Sequence, residues 1–128
     1  MCNEWRDKKV EEILFIETGT GVDVHGQDVN EAASRAVMDA IHYNSMPGIR
    51  NILPGKDLNN MKVTIKLAIP ENLDALNHDE IKALIPYGNV KIEVMKGGMA
   101  TTSGIFLEDQ NDKNDLMYIV NASVEVGY

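Results

Sequence analysis

The chain reads as an α+β domain in the order β-α-β-α-β-β, a single sheet with two helices on one face. Two stretches, MKVTIKLAIP at 61–70 and LMYIVNASVEVGY at 116–128, have the two-residue period of half-buried strands. A third, DVNEAASRAVMDAIHYN at 28–44, has apolar residues at helical spacing. Alternation of strand and helix, closing on two consecutive strands, packs as one sheet with its helices on one side.

Taken in order, ILFI at 13–16 is a short buried strand, limited by Thr18 and Gly19. A glycine-rich loop over 17–28 follows. Asp28 opens the first helix, with Val29, Ala32, Ala33, Ala36, Val37, Ala40 and Ile41 on its apolar stripe. Glu31, three residues on, completes a capping-box pattern with Asp28. The helix is predicted to end near Asn44, ahead of Pro47 and Gly48. The connection SMPGIRNILPGKDLNN carries turn signals and reads as irregular. In the next strand Val63, Ile65, Leu67 and Ile69 share one face, with Lys62, Thr64, Lys66 and Ala68 opposite. Asn77 and Glu80 cap a second helix over HDEIKALI, and VKIEV is a third strand. Residues 95–115 are too polar and glycine-rich for one regular element, and 108–115 reads as an exposed acidic loop. The last strand turns Leu116, Tyr118, Val120, Ala122, Val124 and Val126 one way, and Asn121, Ser123 and Glu125 the other. Right-handed crossovers make the first three strands parallel and the last one antiparallel.

A length of 128 residues suits one domain, and no repeat or linker divides it. A formal net charge of −8 argues against nucleic acid, whose phosphates are neutralised by Lys and Arg, and against anionic membrane surfaces. Small molecules and protein partners remain. The lone cysteine, Cys2, excludes an internal disulfide and sits in an opening, residues 1–10, expected to be mobile. No apolar run approaches the ~18 residues of a membrane span, and the first thirty residues lack the order of a signal peptide. A cytoplasmic location is expected.

The chemistry concentrates in ETGTGVDVHGQD at 17–28. Gly19 and Gly21 begin a GxGxxG pattern, but position 24 is Val and Gly26 is out of register, so the dinucleotide reading fails; no P-loop is present. Asp23 and His25, with Glu17, Asp28 and His42 to draw on, are too few and too irregular for a metal site of three or four ligands. No metal and no cofactor are therefore assigned. Donors at the start of the helix suit a polar or anionic ligand, with His25 and Gln27 as side-chain partners; a capped turn that binds nothing explains the same residues equally well. In this topology one sheet edge gathers 17–28, PEN at 70–72, KGG at 96–98 and the approach to Asn121. Gly97 and Gly98 let backbone approach a ligand, or simply form a turn. Lys96 and the hydroxyls of Thr101, Thr102 and Ser103 read as solvated. His42 and His78 lie at helix ends. Glu125, on the open sheet face, is either a general base or a surface carboxylate.

GTGVDVHGQDVNEAASRAVMDAI, PYG, KGG and the closing NASVEV together resemble a small bacterial family of conserved hypothetical proteins of about this length, with no assigned activity. The resemblance spans nearly the whole chain. It implies roles for His25, Gly26, Gln27, Asp28, Arg35 and Asp39 as a linked group, and also for Asn121 and Glu125. The order of elements is also similar to trimeric chorismate mutases, to reactive-intermediate deaminases, and to one repeat of cyanuric acid hydrolase and barbiturase. The arginine set of the first two and the repeated Ser-Gly-Gly of the others are missing, so fold likeness brings no chemistry with it.

These readings converge on a homo-oligomer, a trimer or a multiple of one, with small-molecule pockets between subunits. His25 and Glu125 are the catalytic candidates. Asp23, Gly26, Gln27, Asp28, Gly97, Gly98 and Asn121 are the ligand-binding candidates. The rival expectation is a non-catalytic assembly or regulatory protein in which the 17–28 loop is structural and Arg35 pairs with Asp39. A metal-dependent hydrolase built on Asp23 and His25 stands third.

Overall fold

The first strand is longer than the apolar run that announces it. In the computed structural model, which describes residues 10–42 and 45–128, β1 (Ile13–Asp23) runs on through both glycines of the motif. The helix α1 (Val29–Ile41) follows, then a one-turn helix α2 (Ile49–Ile52) and two 3-10 turns. Next come β2 (Lys62–Ile69), α3 (His78–Lys82), β3 (Asn89–Lys96), a short β4 (Met99–Thr102) and β5 (Leu116–Gly127). The strands form one open sheet in the order β1-β5-β2-β3, with β4 also paired to β5. β5 runs antiparallel to β1 and β2, and β2 lies parallel to β3, so the expected strand directions hold.

Why β1 continues is a matter of packing. Gly19 and Gly21 turn toward α1. A Cβ on Gly19 would lie 2.4 Å from the Ala36 carbonyl oxygen, and one on Gly21 would lie 2.1 Å from that of Ala32. Ala32, Ala36 and Ala40, four residues apart, occupy one buried stripe of the helix. Two glycines and three alanines thus bring helix and strand together backbone to backbone. The residues read as the first half of a loop are a strand that has given up its side chains to a helix.

The rest of the core follows the predicted faces. Val63, Ile65, Leu67 and Ile69 of β2 are fully buried, as are Val120 and Val124 of β5, Val37 of α1 and Ile81 of α3. Each such side chain contributes roughly 1.5–3 kcal/mol by leaving water. The opposite face of the sheet is open and mixed. There Lys66 Nζ donates to Glu125 Oε1 at 2.7 Å.

Several boundaries differ from those predicted. α1 stops at Ile41 with His42 in the C-cap position, and residues 43–44 lie outside the described residues. α3 closes at Lys82, three residues short of the HDEIKALI pattern, because Leu84 and Ile85 complete successive turns back to Ile81 and Lys82. The 95–115 stretch, read as irregular, contains β4, which meets β5 from Met99↔Ile119 to Thr102↔Leu116, just beyond the end of β2. Gly97 and Gly98 allow that passage. Gly98 has φ +66°, and a Cβ on it would lie 2.2 Å from the Ile119 carbonyl oxygen. Cys2 and the opening through residue 9 lie outside the described residues; Val10, placed in the same mobile opening, is buried instead. Tyr128 bonds back to Glu12, so the two ends of the described chain meet.

The free edge of β1 is partly covered. Thr20 N–H donates to Asp39 Oδ2 at 2.9 Å, and Arg35 Nη1 donates to the Val22 carbonyl at 2.6 Å. α1 therefore occupies strand-edge groups that would otherwise invite another strand. Arg35 and Asp39 do not pair with each other as expected; each turns to β1.

Candidate site around His25

The polar half of the motif begins where β1 ends. Gly26 at φ +88° and Gln27 at φ +46° reverse the chain between strand and helix. Asp23 closes the turn, its Oδ2 accepting the Asp28 N–H at 2.8 Å. Asp28 caps α1 by accepting the Asn30 N–H at 2.9 Å. The reciprocal half of the capping box is not made: Glu31 pairs with Arg35 at 3.2 Å. The Asp28 N–H that it was to satisfy is already taken by Asp23. The helix start is thus supplied with carboxylates from within the chain.

Gln27 is buried and clamps the returning loop. Its Nε2 donates to the Leu116 carbonyl at 2.7 Å, and its Oε1 accepts the Lys113 N–H at 2.8 Å. That loop delivers Asp112, which sequence reasoning had placed in an exposed acidic stretch. Its side chain has no solvent exposure. Asp112 Oδ2 lies 2.7 Å from His25 Nδ1 and accepts the Leu107 N–H at 2.9 Å. Oδ1 accepts the Gly26 N–H at 2.6 Å and a longer bond from Gln27 Nε2 at 3.3 Å. Burial is the strongest single influence on this carboxyl and works to raise its pKa. The donors from Leu107, Gly26 and His25 together outweigh it and hold the group at about 2. An ionised acceptor at Nδ1 assigns the proton to that nitrogen, which leaves Nε2 as the basic atom of neutral His25. Nε2 has no partner among the described residues.

His25 is about a quarter exposed, at 26%. It lines a concavity of about 510 Å³ with Asp23, Asp28, Glu31, Arg35 and Asn111. Arg35 reaches over Asp23 at 3.4 Å. A carboxylate-oriented imidazole beside a guanidinium can move a proton and hold a polar group, which is the chemistry of an acid/base site. Among the described residues, no three His, Cys, Asp or Glu side chains converge as a metal-binding set.

The candidate residues fall into separate places. Asp23, His25, Gly26, Gln27 and Asp28 form one cluster. Asn121 lies on the open sheet face, in a second concavity of about 510 Å³ with Thr20, Asp39, Lys66, Met95 and Ser123. Thr20 Oγ1 donates weakly to Asn121 Oδ1 at 3.4 Å. Glu125 shares that face and is engaged by Lys66, whose pKa it raises by accepting the ammonium's hydrogen bond. Gly97 and Gly98 serve the crossing from β3 to β4. Pro70, Glu71 and Asn72 reach the same end of the sheet, where Asn72 Nδ2 stands 3.5 Å from the Tyr118 hydroxyl. Within one chain, then, His25 does not face Asn121 and Glu125.

The whole fold has a close counterpart among solved structures. A crystal structure of an FtsZ-like protein of unknown function from Nostoc punctiforme aligns with a TM-score of 0.80 at 36% sequence identity, covering 90% of this chain and 93% of that one. No curated protein matches. Among the described residues no helix is long and apolar enough to cross a membrane. A family model matches residues 13–126, and the chain belongs to the Lin0512 family of conserved hypothetical proteins.

Proposed function

We propose that the protein binds a small polar metabolite in the concavity around His25, with His25 as its acid/base group, and that it works as a homo-oligomer. One observation carries the reading: the 2.7 Å pairing of His25 Nδ1 with a buried Asp112 held ionised at pH values far below neutrality. A histidine merely filling a turn does not need a buried carboxylate fixed by backbone donors on both sides. Asp23, Asp28 and Glu31 outnumber Arg35 around the concavity. Electrostatics therefore favours a neutral or cationic ligand over an anionic one. In a hydrolytic or deaminating reaction, His25 Nε2 would take the proton of an attacking water and return it to the departing nitrogen. Self-association, as a trimer or a multiple of one, is supported by the open sheet face, which no helix covers among the described residues. It would also allow Asn121 and Glu125 of a second copy to approach a site that they do not reach within one chain.

The test is ligand-dependent thermal stabilisation against a panel of cyclic amides and imino acids, in wild type and His25→Ala. A compound that raises the melting temperature of the wild type alone supports the site, since a ligand at a hundred times its Kd adds about 2.7 kcal/mol. Equal stabilisation of both proteins removes His25 from it.

A second reading has its own observation. Gln27 and Asp112 together hold backbone groups of residues 26, 107, 113 and 116. In a non-catalytic assembly protein that clamp is the whole purpose of the motif. Asp112→Asn would then lower stability while no compound in the panel binds either form.

A further inference from the structure

Two rows of side chains cross the open sheet face in register. Thr20, Asn121, Ala68 and Met95 stand side by side on β1, β5, β2 and β3, and Thr18, Ser123, Lys66 and Glu93 make the next row. The long charged side chains lie against one another, Lys66 with Glu125 and Lys91 with Glu93. Beside them the face dips. Ala68 brings only a methyl group, and neighbouring Gly97 brings nothing; a Cβ on it would lie 2.9 Å from that of Ala68. Gly97 is not at positive φ, so what it contributes at this point is a missing side chain. The dip is the concavity of about 510 Å³ that holds Asn121, within the size range of small-molecule sites.

Its polar groups have bonding capacity to spare. Asn121 makes one weak bond, accepting from the Thr20 hydroxyl at 3.4 Å, and Glu125 takes one of the three ammonium hydrogens of Lys66. The hydroxyls of Thr18 and Ser123 have no partner among the described residues. Charge balances as well. Lys66 and Asp39 are the one cation and one anion of the lining. The first is matched by Glu125, and the second accepts the Thr20 N–H. Hydroxyl and amide groups both give and take hydrogen bonds, so they suit a ligand that does the same at several points without net charge. Ala68 and Met95 add an apolar patch against which C–H groups can pack. Hydroxyls set around a C–H face describe a sugar or a cyclic polyol.

We propose that this hollow is a second small-molecule site, separate from His25, and that it takes an uncharged polyhydroxylated ligand of the sugar or cyclic polyol class. Asn121 and the Thr18, Thr20 and Ser123 hydroxyls read the ligand's hydroxyls, Lys66 donates to one of them, and Ala68 with Met95 carries its C–H face. The site is complete within one chain. It depends neither on the role of His25 nor on the surface through which copies associate.

The test is amide chemical-shift mapping of isotope-labelled protein titrated with D-ribose, with myo-inositol and with ribose phosphate, in wild type, Asn121→Ala and Thr20→Val. Both substituted residues are exposed and their side chains bond only weakly to each other, so the fold should survive. At least one uncharged probe should give saturable shifts at residues 18–20, 66–68 and 121–123, leaving 25–28 still. Asn121→Ala should weaken that binding about tenfold, the worth of one hydrogen bond. Thr20→Val should weaken it in the same direction, and the phosphate should add nothing, because Glu125 already matches Lys66. No saturable shift with either uncharged probe overturns the site, as does unchanged binding in Asn121→Ala. Shifts confined to 25–28 overturn it too and place the polyol at His25. Tighter binding of ribose phosphate that Lys66→Met abolishes overturns the uncharged class in favour of an anion. Shifts that appear only when dilution dissociates an oligomer mean that a second copy fills the hollow, and overturn the site as well.

Discussion

Residues 19–21 and residues 25–28 are neighbours in one motif, yet they hold the fold in opposite ways. The first pair of glycines works by having no side chains, so that α1 can rest its backbone on β1. The second group works through side chains, which reach more than 80 residues along the sequence to Asp112 and the start of β5. What the comparison teaches is that a short run of Gly, Asp, His and Gln need not share one purpose. The glycines belong to the core, and the polar residues belong to a junction between distant segments.

The sharpest way to break the comparison is at the strand. Gly21→Ala places a Cβ 2.1 Å from a helix carbonyl oxygen and should cost about 3 kcal/mol or more, the upper end of overpacking penalties. Denaturant midpoints will check it. A Gly21→Ala protein as stable as wild type would mean that α1 is free to move off the sheet. Asp112→Ala comes second. It strips the acceptor from Gly26 and Leu107 N–H at once, so amide exchange at those two positions should quicken while α1 stays protected. If exchange speeds up equally along α1, the two halves are one cooperative unit and the distinction drawn here fails.

The same carboxyl sets a pH dependence. Its folded pKa of about 2 lies below its ordinary value of 3.8. Its contribution to stability is therefore present above that ordinary value and lost as pH falls from about 4 toward 2. Titrating the unfolding midpoint of wild type and Asp112→Asn through that window should show a slope that the variant lacks. Smaller still is the helix cap. Asp28→Ala should destabilise by about 0.5–2 kcal/mol, and Asp28→Gly by only a few tenths. The smallest effect belongs to the open face, where Lys66→Met should change stability by about 0–1 kcal/mol, since both partners are partly solvated. Glu125 raises the Lys66 pKa, so that contribution is present below the ordinary lysine value and disappears as pH rises through the folded one. A loss at neutral pH well beyond that range would show that the open face is covered in solution.

Much of this architecture was legible from residue order. β2 and β5 announce themselves because strict alternation has one structural meaning, and α1 because its apolar stripe is unbroken over three turns. Strand directions followed from the handedness of the crossovers. The extension of β1 was hidden because Thr-Gly-Thr-Gly has poor strand propensity; packing against Ala32, Ala36 and Ala40 overrides it. β4 was hidden by its length and by the glycines that deliver it. Asp112 was the costliest omission. It stands among Asp109, Asn111, Asn114 and Asp115 with nothing local to separate it from them. Its partner is 87 residues away, and only the fold brings them together.

The placement of β5 has a consequence for how the molecule is made. β5 is the last strand in chain order, yet it pairs with β1, β2 and β4. Among the described residues β1 pairs only with β5, and β2 only with β3 and β5, so until β5 emerges from the ribosome β1 lacks its partner and β2 lacks one of its two. The sheet cannot close progressively; it waits for its centre. Its decisive pairings span most of the chain, so folding is expected to be slow for a protein of this size. During synthesis the nascent chain will spend its longest interval with bare strand edges, the state most open to capture by chaperones or by other nascent chains.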